Sequence, residues 1–401
     1  MTNKRKIFND PVYGLVSFPF DILYDIIAHP YFQRLRRINQ MGLSHFVYPG
    51  ACHSRFHHAL GALHLVTRSI HVLRNKGIEI SDEEFEAVCI AILLHDVGHG
   101  PFSHTLEKKI VPFHHETISL EIMKRLNQEF DGGLKLAIKI FENSYHRIFF
   151  HQLVSSQLDM DRMDYLNRDS FFTGVVEGKV GYDRIISMIN VVDDKMVIEE
   201  KALYSVEKFF LARIMMYWQV YLHKTAISAE QMLKRVFELV FEKGLEPQFL
   251  SKQLFEMLVI FPKEGIEVAC SEIIDKFTLL DDHDIWYSLK NLVYSKDKAT
   301  SFLCNSLLHR NLFRIEFSKE AVNSDLEKQI RQKISHHFKV NEGEAAKLMI
   351  TGIESNQAYT TAQEEILILK KTGQIIPFSE LSENLINTKV MVKHFLCYPR
   401  I

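Results

Sequence analysis

The spacing of hydrophobic residues is helical over most of the chain. Apolar side chains recur every three or four residues up to about position 340, and long runs of this kind cover residues 57–75 and 209–244. Between 87 and 94 nearly every residue is apolar, which is typical of a central helix buried on all sides. A strand-like pattern at 195–200, followed by KALYSVE at 201–207, indicates a small β-hairpin inserted between helices. We therefore expect a mainly α fold.

The hydrophobic pattern changes near residue 341. Beyond it, short aliphatic runs surround one polar segment, which predicts strands around a short helix. The sequence thus divides into a core of residues 1–230, a helical extension of residues 231–340 and a small α+β segment of residues 341–401. We expect the last segment to pack on the helical body or to serve assembly.

Composition limits the class of protein. The 401 residues carry a net charge of -2 and 47% hydrophobic side chains, so the whole chain has no bias towards nucleic acid or membranes. No stretch approaches the roughly 18 consecutive apolar residues of a membrane span. Five cysteines without a CxxC pair suggest neither a disulfide framework nor a thiolate zinc site. These features favour a cytoplasmic protein whose anionic ligands are met by local basic clusters.

Histidines are concentrated near the apolar helix, since 12 of the 20 fall between residues 29 and 115. The motif HDVGHGPFSH follows that helix directly, with His95 and Asp96 at its inner end and glycines and a proline that break it. Burying an imidazole beside a carboxylate without partners costs several kcal/mol. A metal ion or a hydrogen-bond network is therefore expected there. His99 and His104 follow on a turn that returns to the same place.

Two further positions join this cluster as candidate ligands. His58 begins the inward face of the helix at 57–75, and Asp161 shares a helical face with Tyr165 and with either Arg168 or Asp169. The candidate ligands are His58, His95, Asp96 and Asp161. Imidazoles and carboxylates in this ratio suit Mn, Fe, Zn or Mg better than calcium. Because such a metal lowers the pKa of a bound water, the set favours hydrolysis of a phosphate ester.

Hydrolysis of a phosphate ester also requires basic residues that bind the phosphate. The arginines Arg55, Arg162 and Arg213 can bind phosphate oxygens bidentately. An imidazole such as that of His104 can protonate a leaving oxygen, since imidazole groups in general exchange protons near neutral pH.

Two other basic patterns leave alternatives open. One basic and aromatic pattern recurs at three- or four-residue intervals: Arg213, Tyr217, Tyr221 and Lys224. It forms either a binding face for an anionic ligand that contains a ring, or a surface stripe whose cationic groups extend into solvent. Arg34, Arg36 and Arg37 form either a solvated stripe or a phosphate site.

Several ordered motifs also carry a family resemblance. RFHHALG, LLHDVGHGPFSH and LDMDRMDYLNRD resemble the signature of the HD-domain metal phosphohydrolases. FNDPVYG, RLRRINQMG, VYPGACHSRFHHALG, HHETIS and YLHKT are similar, in the same order, to motifs of the deoxynucleoside triphosphate (dNTP) triphosphohydrolase branch. The similarity spans residues 7–230 and leaves out the SAM domain of vertebrate members. It implies an all-helical HD-domain catalytic core, a divalent metal, and hydrolysis of a dNTP to deoxynucleoside and inorganic triphosphate by attack of metal-activated water at the α-phosphate.

The resemblance implies a role for each matching residue. Those that match metal ligands are His58, His95, Asp96 and Asp161. The histidine that protonates the 5′ oxygen matches His104, supported by Glu107, and histidines on the phosphate side match His99 and His115. Contacts to the phosphates match Arg55, Arg162 and Arg213. Contacts to a sugar without a 2′-hydroxyl match Gln40, Tyr165 and Asp169, and a neighbour of the base matches Tyr221.

The sequence departs from that branch at two matched positions. Arg162 stands where the vertebrate enzyme has lysine, and Ala28 stands where it has an aspartate that recognises guanine at an activating site, although Arg36 is retained. The resemblance implies a homo-oligomer, a dimer or a tetramer, but does not predict nucleotide activation. Some members bind single-stranded DNA, so that ligand stays open, although nucleic acid is not required.

Two alternatives to dNTP hydrolysis remain. One is another HD-domain phosphohydrolase, such as a 5′-nucleotidase or a phosphodiesterase. The other is a nucleotide-binding regulator without turnover. The intact metal-ligand set together with His104 and Glu107 argues against the regulator.

Overall fold

Helices account for most of the chain in the computed structural model, which describes residues 6–107, 109–110, 113–260, 271–356, 365–382 and 391–401. The mainly α prediction is confirmed. The α-helices are α1 (Asp21–Ala28), α2 (Pro30–Gln33), α3 (Arg55–Asn75), α4 (Asp82–Leu94), α5 (His115–Glu129), α6 (Lys135–Phe141), α7 (Phe149–Val154), α8 (Met160–Thr173), α9 (Tyr182–Ser187), α10 (Leu203–Met216), α11 (Lys224–Lys243), α12 (Lys252–Ile260), α13 (Ser271–Phe277), α14 (Asp282–Leu292), α15 (Lys298–Leu308), α16 (Ser324–Phe338), α17 (Glu342–Lys347) and α18 (Phe378–Leu381).

The centre of the fold is helix α3, which packs against α4 and α8. Helix α4 begins with a capping box in which Ser81 and Glu84 satisfy each other's backbone amides. From Ala87 to Leu94 every residue of α4 is buried, as its unbroken apolar run predicts. The helix ends at Leu94, so the following polar residues begin in the interior of the protein.

Three small sheets complete the fold. Their strands are β1 (Phe8–Asp10), β2 (Gly14–Val16), β3 (Ile189–Val192), β4 (Lys195–Glu199), β5 (Arg314–Ser318), β6 (Ile350–Asn356), β7 (Leu367–Leu369), β8 (Ile375–Pro377) and β9 (Met391–Tyr398). The first sheet joins β1 to β2, the second has the order β3-β4-β7-β8, and the third has the order β5-β9-β6. The hairpin is present as β3 and β4, but only its strand at 195–199 was predicted: its partner precedes that strand, and residues 201–207, expected as the second half of the hairpin, are helical. Strand β4 also pairs in parallel with β7, so the hairpin and the C-terminal segment share one sheet.

Two features of the predicted helical regions differ in the structure. Residues 314–318 form strand β5 rather than helix, because Ile315 and its neighbours pair with β9, whose residues lie some eighty positions further along the chain. The predicted helix at 209–244 is two helices, α10 and α11, separated by a π turn at Tyr217–Tyr221 and a break after it. The side chain of His223 accepts from the amide of Thr225 and so begins α11 anew.

The basic stripe at Arg34, Arg36 and Arg37 is not solvated as a whole. Arg34 is buried and donates to backbone carbonyls. The guanidinium of Arg36 lies 3.6 Å from the centroid of the Phe56 ring, and Arg37 pairs with Asp281. Both interpretations that the sequence left open are therefore wrong for Arg34.

The three-part division at residues 230 and 340 stays a prediction, although α11 runs through its first boundary. Among the described residues, none of the helices combines the length and the apolar character that crossing a bilayer requires.

Candidate active site

The four predicted metal ligands converge at the meeting point of α3, α4 and α8. The Nε2 atom of His58 lies 3.0 Å from Asp161 Oδ1 and 3.7 Å from Asp96 Oδ2. The Nε2 atom of His95 lies 3.5 Å from oxygens of both Asp96 and Asp161. Residues from positions more than 100 apart in the sequence thus present two imidazoles and two carboxylates to one point.

The Nδ1 atoms of both histidines, which face away from the cluster, already have hydrogen-bond partners. His58 Nδ1 lies 2.7 Å from Asp164 Oδ2, and His95 Nδ1 lies 2.6 Å from the carbonyl oxygen of Ile92. With Nδ1 as the donor, each Nε2 atom presents its lone pair to the cluster. Within the described part of the chain, both Nε2 atoms are buried and neither has a hydrogen-bond partner of good geometry. Such atoms facing carboxylates fit a divalent cation.

With no metal ion bound, the electrostatics of the cluster favour a positive charge at the same point, in the form of a proton on the imidazole. Burial acts to lower the pKa of His58, but the carboxylates of Asp161 and Asp164 outweigh it and raise that pKa to about 10. Burial acts to raise the pKa of Asp161, but the imidazoles of His58 and His95 outweigh it and hold that pKa below its usual range. The cluster therefore keeps ionised carboxylates in a buried place, which a bound cation would neutralise.

A buried ion-pair network stands behind the metal cluster. Asp164 is fully buried and accepts from Arg168 Nε at 2.9 Å and from Arg168 Nη2 at 3.0 Å, and Arg168 Nη1 donates to Asp10 Oδ2 at 2.8 Å. The network fixes the ring of His58 through Asp164. Sequence reasoning missed Asp164 and Asp10. The four-residue spacing of Asp164 and Arg168 on one helix was the available signal.

Gly61 leaves the room that this network occupies. A Cβ atom at this position would lie 2.0 Å from Asp164 Oδ1 and 2.2 Å from Arg168 Nη2. We expect Gly61→Ala to lower the free energy of unfolding by more than about 3 kcal/mol, because the buried ion pair must move apart. Chemical denaturation measures this, with Gly181→Ala as control, since a Cβ at Gly181 meets no atom within 4 Å. Similar losses in both variants would contradict the prediction.

A cavity of about 460 Å³ opens beside the cluster. Asp161 and the three predicted phosphate-binding arginines line it, together with the predicted sugar and base residues; these are Arg55, Arg162, Arg213, Gln40, Tyr165, Asp169 and Tyr221. His104 and Tyr217 also line it. The face of Arg213, Tyr217 and Tyr221 is thus part of a cavity wall and not a surface stripe. Lys224 does not belong to this wall and lies instead beside Thr225 and Arg400.

The carboxylate of Asp169 is fixed from both sides. His53 Nε2 lies 2.7 Å from Asp169 Oδ1, and the hydroxyl of Tyr221 donates to Asp169 Oδ2 at 2.7 Å. The ring of His53 stacks on Phe172. The sequence left open whether Asp169 or Arg168 shares a face with Tyr165. Asp169 lines the cavity, whereas Arg168 lies in the ion-pair network behind it. His53 was not singled out from the sequence.

A second histidine cluster lies next to the cavity. Glu107 binds the Nδ1 atoms of His104 and His115, each at 2.9 Å. Burial acts to raise the pKa of Glu107, but the bonds from His104 and His115 outweigh it and hold that pKa well below its usual range. An ionised Glu107 therefore keeps a proton on Nδ1 of each ring and fixes its orientation.

Two predicted phosphate-side histidines lie behind His104 rather than on the wall of the main cavity. The rings of His99 and His115 stack with centroids 3.8 Å apart, and both line a small neighbouring cavity. His99 Nε2 lies 3.3 Å from Asp96 Oδ1. Burial and the nearby Arg55 guanidinium hold the pKa of His99 well below its usual range, so the ring is neutral. Their predicted contact with phosphate stays a prediction.

The cavity also has an acidic part that sequence reasoning missed. Glu230 and Lys234 lie one turn apart on α11, and Glu354 comes from β6. Burial raises the pKa of Glu230 to about 7, with a lowering contribution from Lys234 and a raising one from Glu354.

We expect Glu230→Gln to stabilise the ligand-free protein at pH 8 but not at pH 5. The folded-state pKa lies above the usual value, so the stability that Glu230 contributes is full below about pH 4.5 and is lost as the pH rises through about 7. The loss amounts to at most about 3 kcal/mol. Melting temperatures of both proteins at the two pH values measure it. Glu242→Gln, at an exposed position of the same helix, should show no such pH dependence; an equal effect there would contradict the prediction.

The chain is similar to known protein families and to individual known proteins. The HD domain family model matches residues 55–169, and the model of the HD associated region matches residues 180–258. The uncharacterised protein YwfO of Bacillus subtilis is 31% identical over 419 residues, which cover 99% of this chain and 93% of that protein. The SAMHD1 homolog of Dictyostelium discoideum, named a deoxynucleoside triphosphate triphosphohydrolase, is 28% identical over 93% of this chain and 75% of its own. The crystal structure of a phosphohydrolase from Bacteroides thetaiotaomicron superposes with a TM-score of 0.92 at 45% identity, over 99% of this chain and 100% of that one.

Proposed function

Since the chain belongs to the HD-domain phosphohydrolase family, we propose that it hydrolyses deoxynucleoside triphosphates to deoxynucleoside and inorganic triphosphate. One observation carries the proposal. One cavity is lined by the metal-ligand candidate Asp161, by three arginines, and by Tyr165 and the fixed carboxylate of Asp169. The arginines beside a metal ligand suit a phosphate chain, and the aromatic and hydrogen-bonding residues of the same cavity suit a nucleoside.

The cluster of His58, His95, Asp96 and Asp161 would hold the divalent metal ion. The two orphaned Nε2 atoms are the observation that supports this fit. A bound Mn, Fe, Mg or Zn ion supplies Lewis-acid stabilisation of phosphoryl oxygens and lowers the pKa of a water molecule. The chain's own contribution is to fix the ligand rings through Asp164 and the carbonyl of Ile92.

The arginines bind and orient the phosphate chain. Arg55 is held by Ser103 and Asp96, and Arg162 is held by Asp159, so both guanidiniums have fixed places on the cavity wall. Arg213 lines the same wall from α10. Positive charge that is fixed before the substrate arrives stabilises negative charge on the transferring group without reorganisation.

Asp169 and Tyr165 bind the sugar. The carboxylate of Asp169 accepts from Tyr221, so its position is set before the substrate enters. The ring of Tyr165 lies edge-on to that of Tyr221, with centroids 6.3 Å apart. A rigid aromatic edge against the ribose discriminates against an additional 2′-hydroxyl by steric exclusion.

His104 holds the proton for the leaving group. In the proposed reaction, the oxygen of a water molecule bonds to the α-phosphorus while the bond from that phosphorus to the 5′ oxygen breaks. His104, whose Nδ1 is tied to Glu107, donates the Nε2 proton to the 5′ oxygen as it leaves. The water loses one proton to solvent and His104 regains one from solvent, so that deoxynucleoside and triphosphate are the products.

Product analysis tests the proposal. The purified protein is incubated with each of the four dNTPs and with Mn or Mg, and the products are separated by ion-exchange chromatography. Deoxynucleoside and inorganic triphosphate are the expected products. Release of orthophosphate or of a monophosphate would instead support a 5′-nucleotidase or phosphodiesterase, and the absence of any product with every dNTP would refute the proposal. The same assay with a second nucleotide added tests for an activator, and size-exclusion chromatography tests the expected dimer or tetramer.

A further inference from the structure

A short segment of the helical extension contacts both loops that enter the candidate active site. Asp282, the first residue of α14, is 3% exposed. Its Oδ2 atom accepts from the amide of Asn39 at 2.9 Å, and its Oδ1 atom accepts from the amide of Phe102 at 2.8 Å. These partners lie 243 and 180 residues away in the chain. One side chain thus holds two distant loops together.

Both loops lead directly into the cavity wall. Asn39 precedes Gln40, and Phe102 is followed by Ser103 and His104; all of these except Asn39 line the cavity. Phe102 and Ser103 have positive φ values of 55° and 52°, a conformation that side chains other than glycine rarely adopt. Such a turn persists when surrounding bonds fix it, and the amide of Phe102 is fixed by Asp282.

Arg34 extends the same attachment from the other side. Its Nε donates to the carbonyl of Leu280 at 2.6 Å, and its Nη2 donates to the carbonyl of His99 at 2.8 Å. Its guanidinium also lies over the ring of Phe277. The buried guanidinium therefore ties the segment before α14 to the turn that carries the histidines.

We propose that Asp282 is a positioning residue for the proposed phosphohydrolase reaction. It does not line the cavity; it sets the distance between the loop of Gln40, at the sugar end, and the loop of His104, at the leaving group. The inference rests on the proposed function. It assigns to the helical extension a direct part in holding the site in its reactive geometry.

The electrostatic environment of Asp282 is consistent with this positioning role. Burial raises the pKa of Asp282 to about 6, while the two backbone amides act to lower it. Its charged or titratable neighbours in the chain are Asp281, the residue before α14, and His283, and Arg34 and Arg37 face this segment from the residues before Asn39. Above that pH the carboxylate has two acceptor oxygens, one for each loop.

The test is Asp282→Asn, which keeps the shape but replaces one acceptor oxygen by an amide donor. We expect kcat for the dNTP to fall by about 10- to 100-fold, because small displacements of reacting groups cost that much. KM is expected to change by less than about threefold, because Arg162 and Arg213 are not attached to these loops and Arg55, although bonded to Ser103, is also held by Asp96. Hydrogen exchange followed by NMR or mass spectrometry should be faster at the amides of Asn39 and Phe102. Asp282→Ser gives a second variant if the first does not fold.

The matched control is Asp297→Asn. Asp297 caps α15 by accepting from the amide of Thr300 at 3.0 Å and also binds Lys347, away from both loops. It should lower stability without changing kcat or exchange at Asn39 and Phe102. Equal loss of kcat in both variants, or unchanged exchange in Asp282→Asn, would overturn the inference. Failure of wild-type turnover would refute the proposed function instead, and the exchange data would still decide whether Asp282 holds the loops.

Discussion

Asp161→Ala is expected to abolish metal-dependent hydrolysis while leaving the fold intact. Like Asp96, Asp161 faces both orphaned imidazole nitrogens, and it does so with a single oxygen, Oδ1, at 3.0 Å from His58 and 3.5 Å from His95. Changing a group that only supports a ligand costs about 10- to 100-fold in metal affinity or activity, so removing a charged ligand should lower kcat/KM by at least about a thousandfold. Turnover assays with Mn or Mg and calorimetric metal titration measure the effect.

The fold should survive because Asp161 is not a structural partner of the core. Its side chain is 26% exposed and lies in the first turn of α8, where alanine has high helix propensity and the lost dipole interaction costs about 0.3–1 kcal/mol. Asp183→Ala, which removes an exposed carboxylate, is the control. Full activity with tight metal binding in Asp161→Ala would refute the ligand assignment.

The second large effect is expected at Asp164, which contacts the metal cluster through His58. Asp164→Asn removes the charge that Arg168 and His58 share and places an amide donor against one of them. Breaking a buried ion pair from one side costs about 3–5 kcal/mol. Loss of the partner that fixes the His58 ring should also weaken metal binding by about 10- to 100-fold.

Two measurements separate these consequences. Urea unfolding of the metal-free protein gives the loss of stability, and metal titration at a temperature where both proteins are folded gives the loss of affinity. Asp82→Asn is the control, because Asp82 pairs with Arg74 at the surface and such a pair contributes at most about 1 kcal/mol. A variant that loses stability but binds metal as the wild type does would show that Asp164 serves the fold alone.

Sequence reasoning worked best where a local pattern determines structure. The burial of α4 followed from its unbroken apolar run, and the place of His95 and Asp96 at its end followed from the glycines after them. The convergence of His58 and Asp161 on that point came from helical phase together with the family resemblance. The roles assigned to these residues stay predictions, but their positions fit those roles.

The sequence could not reveal contacts that join distant elements. In the sequence, Arg34 has the pattern of a surface residue, but in the fold it is buried by Leu280 and by the turn at His99. Glu354 joins the cavity only because β6 packs beside α11, and strand β5 exists only because β9 pairs with it. In each case the deciding partner lies far along the chain, where neither helical spacing nor a motif reports it.

The parallel pairing of β4 with β7 has a consequence for folding. Residues 197–199 must wait for residues 367–369 to be synthesised before that edge of the hairpin gains its partner. By then every residue of the candidate metal cluster, the last of which is Asp161, has long left the ribosome. Until the sheet closes, Val197 and Ile198, both buried in the native state, form part of an open strand edge that can pair with another chain. Synthesis of the metal-cluster residues and protection of this strand edge against aggregation are therefore separated in time, and the C-terminal segment governs the second.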